Sequence, residues 1–278
     1  MTRTLGLALL ASAAFTASTA SAQTVGVNAA VVNDVRMTTQ ANATLHKAVV
    51  RERVSLGNDI LTGKGSRLQV VLLDHTSFTV GANARIKVDR FVYDPNRNSS
   101  AVGLSVGRGA FRFMSGRPTH NAPGQSSIRT PVASIGIRGT IVDGVVGPDA
   151  IAIARTQPGV PTAGSDPETA SLILLRGPGA SANEPGGAID VTAGGKTVAL
   201  DTPGLAVFVP RPGAEPIGPF MLTPRGSQML IGLLTTPGQT LPGDGPDRGE
   251  SPLPPVRQLP RGNPVNPAGG PGGEPPRI

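Results

Sequence analysis

The sequence contains no cysteine and no tryptophan, and only one of its 278 residues is a tyrosine. The absence of cysteine excludes disulfide bonds, a thiol nucleophile and a lipid-modified cysteine at a cleavage site. An exported protein of this composition has to fold on its apolar core alone. The scarcity of aromatic residues suits a thin core of valine, isoleucine and leucine, and it disfavours nucleic-acid binding, which draws on aromatic stacking.

Long apolar segments are absent except at the N-terminus. Arg3 precedes an apolar run over residues 5–15, and residues 20–22 (Ala-Ser-Ala) fit the small-residue rule for signal cleavage. The run has about eleven residues, whereas a membrane-spanning helix needs about twenty, which disfavours an uncleaved anchor. We therefore expect residues 1–22 to be a signal peptide that is cleaved after Ala22. The mature protein is expected to be soluble, without a membrane span, and periplasmic or secreted.

The C-terminal segment, residues 236–278, is rich in proline and glycine and poor in apolar side chains. Such a composition cannot bury enough surface to offset its ordering entropy, so we predict a disordered tail with polyproline II character. It would serve as a spacer or as a ligand for a proline-binding domain. Residues 156–170 (TQPGVPTAGSDPETA) indicate a linker or a long loop. We accordingly expect an all-β domain over 23–155, and a second β lobe or a continuation over 156–235.

Positive charge is concentrated in the N-terminal half of a chain whose net charge is +7. Residues 24–160 contain 16 lysines and arginines against 8 acidic residues, whereas residues 161–235 contain 4 against 6. Nucleic-acid binding is disfavoured because the basic residues are spread through alternating strand patterns. The residues predicted to lie on solvent-facing sides of strands are Arg85, Lys87, Arg108 and Arg112. An acidic protein surface or an anionic wall polymer is a better-matched partner.

Short apolar runs bounded by glycine, asparagine, aspartate or proline recur about every ten residues, which is typical of an all-β protein. A sandwich, a barrel and a solenoid all fit this spacing. We favour a β-solenoid-like stack of short strands over residues 24–155. The segment SRLQVVLLDHTSFTVGANARIKVDRF resembles two successive rungs, with corners at Asp74-His75 and at Gly81-Ala82-Asn83. The run AIAIART, residues 150–156, is interpreted as a further strand.

Two later segments have local signatures of their own. Gly194-Gly195 separates two alternating runs and predicts a tight hairpin. The segment MLTPRGSQMLIGLLTT, from Met221 to Leu234 and beyond, is predicted to be partly helical and to brace the end of the sheet.

Four motifs follow one another in the order of a known family. They are VSLGNDILTGKGSRLQV (54–70), LLDHTSFTVGANARIKVDRFVYDP (72–95), GLSVGRGAFRFMSG (103–116) and IRTPVASIGIRGTIVD (128–143). Together they resemble the FecR domain, a bacterial periplasmic module best known from transmembrane regulators of iron uptake. His75 stands where the family usually has glycine, so the turn there is expected to differ slightly, because glycine adopts positive φ more readily.

The resemblance implies a function class. In the transmembrane regulators an anti-sigma segment and a membrane helix precede the domain, whereas a signal peptide is predicted here. We therefore expect a stand-alone exported FecR-domain protein that is not an enzyme and binds a protein or cell-wall partner in envelope signalling. The partner of those relatives is the periplasmic signalling domain of a TonB-dependent receptor. The alternative is a secreted structural or adhesion-type β-solenoid protein.

The residues predicted to form a partner-binding or structural motif are Arg138, Gly139, Thr140, Thr130 and Pro131. In the structural interpretation, Gly139 takes a tight corner, Thr140 hydrogen-bonds the turn, and Arg138 pairs with Asp143 or Asp89. Thr-Pro likewise marks the edge of a strand. In the functional interpretation, Arg138 faces a partner.

No catalytic, cofactor-binding or metal-binding residue is predicted. Residues 74–77 (Asp-His-Thr-Ser) hold the residue types of a catalytic triad, but neighbours in a strand point to opposite faces, so we interpret them as a turn. His46 and His120 are isolated, and the sequence shows no spacing typical of metal ligands.

Overall fold

The computed structural model describes residues 23–38, 44–120, 125–177 and 187–235. The predicted signal peptide and the proline- and glycine-rich tail lie outside the described residues. Within those ranges, none of the helices has the length and apolar character needed to cross a membrane.

The described residues form strands and three helices, named here in chain order. The first strands are β1 (Thr24–Val32), β2 (Val35–Thr38), β3 (Leu45–Lys47), β4 (Arg53–Ser55), β5 (Asp59–Thr62), β6 (Arg67–Leu72), β7 (Ser77–Val80), β8 (Arg85–Asp94) and β9 (Ser99–Met114). The later strands are β10 (Ser126–Arg129), β11 (Ser134–Arg138), β12 (Ile141–Val146), β13 (Ser171–Gly177), β14 (Ala188–Ala193), β15 (Lys196–Leu200), β16 (Leu205–Val209) and β17 (Ile217–Met221). The helices are α1 (Arg117–His120), α2 (Pro148–Ala154) and α3 (Pro224–Leu234).

The strands form one hydrogen-bonded network in two layers, and the long strand β9 belongs to both layers. Its first part pairs with β8 and β10, and its second part, from Gly109 onward, pairs with β7 and β12. Gly109 has a φ of +81°, and a Cβ there would lie 2.3 Å from the Cα of Ala84. Glycine is therefore required where the strand passes from one layer to the other.

The two layers are called sheet A and sheet B. Sheet A runs in the order β4-β1-β6-β7-β9-β12-β13-β16-β17. Sheet B runs in the order β3-β2-β5-β8-β9-β10-β11-β14-β15. The pairing of β9 with β10 is parallel, and the other described pairings are antiparallel. Strands after residue 170 thus add to both layers.

The main core lies between the two sheets. Along β8, for example, Ile86 and Val88 are buried whereas Arg85 and Lys87 are exposed, because successive side chains of a strand point to opposite faces. Phe111 of sheet A fills part of this core, and it packs over Gly144, where a Cβ would lie 2.3 Å from the ring.

A second core covers the outer face of sheet A. Val145 and Phe208 of the sheet pack there with Ile153 of α2 and Leu230 of α3. Both of these helices pack on sheet A, so in the described part of the chain neither lies over the outer face of sheet B.

The all-β class is confirmed, but the solenoid-like stack is not. The two predicted rungs are β6 and β7, which form an antiparallel hairpin within sheet A, followed by β8, which belongs to sheet B. The predicted corners are turns: His75 has a φ of +64°, and Asn83 has a φ of +54°. The turns were predictable because they are local, whereas the layer that each strand joins depends on distant pairing partners.

The prediction of a strand at AIAIART was wrong, since residues 148–154 form helix α2. Pro148 occupies its first turn, directly after Gly147 with a φ of +107°. The predicted helix near the C-terminus is confirmed as α3, whose first turn is capped by the side chain of Thr223. The predicted hairpin is also confirmed, with φ of +54° at Gly194 and +80° at Gly195.

Candidate functional site

The corner between β11 and β12 holds two of the predicted residues in structural roles. Gly139 has a φ of +57°, which favours glycine. Thr140 is fully buried: its backbone N–H donates to Ser115 Oγ at 3.1 Å, and its hydroxyl donates to the carbonyl of Gly177. These contacts fix the corner against the end of β13.

Arg138 lies on the outer face of sheet B. Its guanidinium donates to the carboxylate of Asp190 at 3.0 Å, and the two side chains are 44% and 37% exposed. The predicted partners were wrong: Asp143 belongs to sheet A, and Asp89 accepts a hydrogen bond from a serine of β9. The pair joins β11 to β14, and a pair this exposed contributes little to stability.

Thr130 and Pro131 lie in the turn that joins β10 to β11. The N–H of Thr130 donates to the carbonyl of Ala133 at 2.8 Å, and its hydroxyl oxygen accepts from the N–H of Ala133 at 3.0 Å. Ser171 Oγ also donates to Thr130 Oγ1 at 3.1 Å, which connects the turn to β13. Pro131 is exposed at the tip. A partner-binding role for these two residues stays a prediction.

A buried ion pair was missed by the sequence analysis. Arg112, predicted to face solvent, donates from Nε and Nη2 to the carboxylate of Asp143 at 2.7 and 3.0 Å, and Arg176 approaches the same carboxylate at 3.4 Å. The Arg112 side chain is 7% exposed and that of Asp143 is fully buried. The prediction failed because this face of sheet A is covered rather than solvated.

The triad-like residues do not converge. The buried carboxylate of Asp74 accepts from the N–H and hydroxyl of Thr76 at 3.0 and 2.8 Å, and from Ser100 Oγ at 2.5 Å. His75 points to solvent from the turn. The turn interpretation is confirmed, and no grouping of three histidine, aspartate or glutamate side chains suited to a metal occurs in the described part of the chain.

Two adjoining clefts of about 340 and 320 Å³ lie beside the N-terminus of α2 and the C-terminus of α3. They share Asn83 and Asp149, and the first is also lined by Arg108 and Glu168. Neither cleft is lined by a histidine among the described residues. The hydroxyl-bearing residues of the second cleft are Ser66 and Thr235, and Ser66 Oγ donates to the backbone carbonyl of Lys64 at 3.4 Å.

The outermost strand of sheet B, β15, has an open side. The strand register described for β15 is with β14. The turn end of β15 also lies near the segment before β17, where Lys196 forms an ion pair with Glu215 at 3.3 Å. In an antiparallel pair, every second residue of a strand is hydrogen-bonded to its neighbour. The two-residue turn is closed by a hydrogen-bonded pair, Ala193 and Lys196, so the next residue of β15 is not bonded to β14. Thr197 and Ala199 therefore direct their N–H and C=O groups away from β14. Both of these residues are exposed, so β15 presents an available backbone edge.

Within the described ranges, neither α2 nor α3 covers the outer face of sheet B, and this face is mainly basic. Its basic residues are Arg36, Lys47, Arg85, Lys87, Arg90, Arg129 and Arg138, and its acidic residues are Asp59, Asp89 and Asp190. Arg85 and Lys87 were correctly predicted to face solvent. Hence the open backbone edge and the basic face belong to the same sheet.

Comparison with known proteins assigns the family. Residues 58–154 match the family model described as FecR protein. These residues are a FecR domain. The match extends from the turn before β5 to the end of α2, so the two sheets are built around the FecR domain and extended by β13–β17.

The other comparisons are more distant. Two crystal structures of a protein from Parabacteroides distasonis, described as a "putative anti-sigma factor", share 15% and 16% sequence identity with this chain, at TM-scores of 0.35 and 0.36. Each alignment covers 57% of this chain and 57% of the other chain, so this chain spans a little over half the length of that protein. No curated protein matches this sequence.

Proposed function

We propose that this chain is an exported FecR-domain protein that works in the periplasm, without catalysis, by binding a protein partner in envelope signalling. The observation that carries the proposal is the FecR match over residues 58–154. By resemblance to the regulators of iron uptake, the expected partner is a periplasmic signalling domain of an outer-membrane receptor.

The partner is proposed to add a strand to β15. The last strands of the FecR domain, β11 and β12, are each paired on both sides, because β14 and β13 follow them. At this end of sheet B the edge strand is therefore β15, which has five residues and no proline. The edge strand at the other end, β3, has three residues, and the edge strand β17 of sheet A contains Pro219. An open edge of this kind accepts an extended peptide through backbone hydrogen bonds.

A structural or adhesion-type role is the second reading. This role was predicted for a solenoid of stacked rungs, whereas the strands that were predicted to be rungs pair within two different sheets. The crosslinking experiment below distinguishes it from partner binding.

The test is crosslinking in intact cells from one defined position. A photoreactive amino acid replaces Ala199 on the open edge or, as the matched control, the exposed Arg225 on α3. We expect a receptor signalling domain to be crosslinked from position 199 and not from position 225, as identified by mass spectrometry. Crosslinks from position 199 only to further copies of this chain, or to bulk envelope proteins, would contradict the proposal and favour the structural role.

A further inference from the structure

We propose that the outer face of sheet B binds an anionic polysaccharide. This goes beyond the protein partner proposed for β15, because it concerns the face of the sheet and not its edge. The two surfaces can therefore be tested separately.

The strand register places alternating basic and hydroxyl side chains in one row across the face. Lys87 lies opposite Ser105, Ser105 lies beside Arg129, and Arg129 lies opposite Ser134. The row continues through Thr192 and Thr197, which lie opposite each other. Neighbouring strands are about 4.8 Å apart, so Lys87 and Arg129 are separated by roughly 10 Å. The row therefore offers two positive charges with hydroxyl groups between and beyond them, and it begins at Asp59, which lies opposite Lys87.

The positive charges of this row are available to a ligand. Lys87, Arg90 and Arg129 are exposed, and none of them forms an ion pair within the described residues. The neighbouring Asp89 keeps its negative charge and accepts the hydroxyl proton of Ser105, so Ser105 can offer a ligand only its oxygen as an acceptor. The other two acidic side chains on this surface are already paired with cations: Asp59 lies 3.5 Å from Arg85, and Asp190 binds Arg138. A positive excess therefore remains around Lys87 and Arg129.

The chemistry of the face favours a polysaccharide over a protein. Protein interfaces depend on a few aromatic or arginine anchors in desolvated pockets. The arginines of this face are exposed on the strands, and within the described residues the face presents no exposed aromatic ring. Phe91 is buried, and Tyr93 packs against the core between the sheets. Hydroxyl groups and cations on a broad sheet are suited to a hydrated chain of acidic sugars. Single-stranded nucleic acid would need aromatic surfaces on which its bases could stack.

The main experiment measures binding of fluorescently labelled polygalacturonate to the mature protein, with neutral dextran as the control polymer. Lys87→Ser combined with Arg129→Ser is compared with Arg155→Ser combined with Arg225→Ser, which removes equal charge from exposed positions on or next to the helices. We expect binding to polygalacturonate and not to dextran, weakened roughly tenfold by the first pair of changes and less than twofold by the second. All four positions are exposed, so thermal unfolding should be unchanged.

A second measurement uses the unaltered protein. Polygalacturonate should protect Lys87 from an amine-reactive label, while Lys64, exposed in the turn after β5, stays reactive. Equal weakening in both double variants, or unprotected Lys87, would overturn the proposal. So would tighter binding to a DNA oligonucleotide of equal charge, which would assign the face to nucleic acid. These polysaccharide-binding results do not depend on whether a receptor domain is crosslinked from position 199, so the two proposals can fail independently.

Discussion

Replacing Asp143 with alanine should destabilise the protein far more than breaking any exposed ion pair. Asp143 is fully buried in β12 and is bound by the 7% exposed guanidinium of Arg112 through two hydrogen bonds of 2.7 and 3.0 Å. Removing one partner of a buried pair leaves a buried charge without its counter-ion, which costs about 3–5 kcal/mol. For a domain of this size each kcal/mol lowers Tm by about 2–4 °C, so we expect a decrease of roughly 6–20 °C.

The matched control is Asp190→Ala, which removes the same chemical group from the exposed pair with Arg138. It should cost at most about 1 kcal/mol, because solvent screens an exposed pair. Both variants are compared with the unaltered protein by urea denaturation and by thermal unfolding, followed by circular dichroism. Similar losses of under 1 kcal/mol for the two variants would refute the reasoning that burial decides the cost.

A double replacement separates the buried charge from the lost contact. Arg112→Met combined with Asp143→Leu leaves apolar side chains of similar size at these two buried positions of sheet A. Substitution of a whole buried pair by apolar residues is often neutral or stabilising. We therefore expect the double variant to recover more than half of the stability lost in Asp143→Ala. A double variant as unstable as the single one would show that packing, and not the uncompensated charge, caused the loss.

The remaining predictions concern a strained turn and a carboxylate. His75→Gly should stabilise the protein by about 0.5–1 kcal/mol, measured by urea denaturation. The left-handed backbone at His75 costs an L-residue about 1–2 kcal/mol, and the added entropy of glycine in the unfolded state offsets part of the gain. The control His75→Ala keeps the same strain and should give no gain. Two hydrogen bonds lower the pKa of Asp166 below 3.8: the larger effect is that of Thr169 Oγ1, and the smaller is that of the N–H of Glu168. These hydrogen bonds therefore stabilise the fold above pH 3.8, and the stabilisation is lost as the pH falls through the lowered pKa. Thr169→Val should raise the pKa of Asp166 toward 3.8 in a carboxyl NMR titration, and Thr169→Ser should not; an unchanged value in Thr169→Val would contradict the assigned cause.

Local features were predictable from the sequence because their causes are local. The Gly194-Gly195 hairpin needs two positive φ angles, and two adjacent glycines provide them. In β8, Arg85 and Lys87 alternate with aliphatic residues, and this alternation alone predicted that the two basic side chains are exposed. The order of the four FecR motifs predicted the family, which the match to residues 58–154 confirms.

Features that depend on pairing across the chain were not predictable. Arg108 and Arg112 have the same charge and lie in the same alternating run, yet one is exposed and the other is buried. The difference arises because β9 changes layers between them: Arg108 lies opposite Arg85 in sheet B, whereas Arg112 lies opposite Asp143 in sheet A and is bound to it. Similarly, Arg138 binds Asp190, 52 positions away, because β11 pairs with β14.

The amino-acid sequence by itself determined the all-β class, the tight turns, helix α3 and the FecR family, because periodicity, glycine positions and motif order are properties of short segments. The tertiary structure decided that the strands form two facing sheets and that residues 148–154 are helical. It also decided which charges are buried and which edge and face of sheet B stay open. These depend on which distant strands pair and on where α2 and α3 pack, and in both cases the energy comes from contacts between segments that are far apart in the chain.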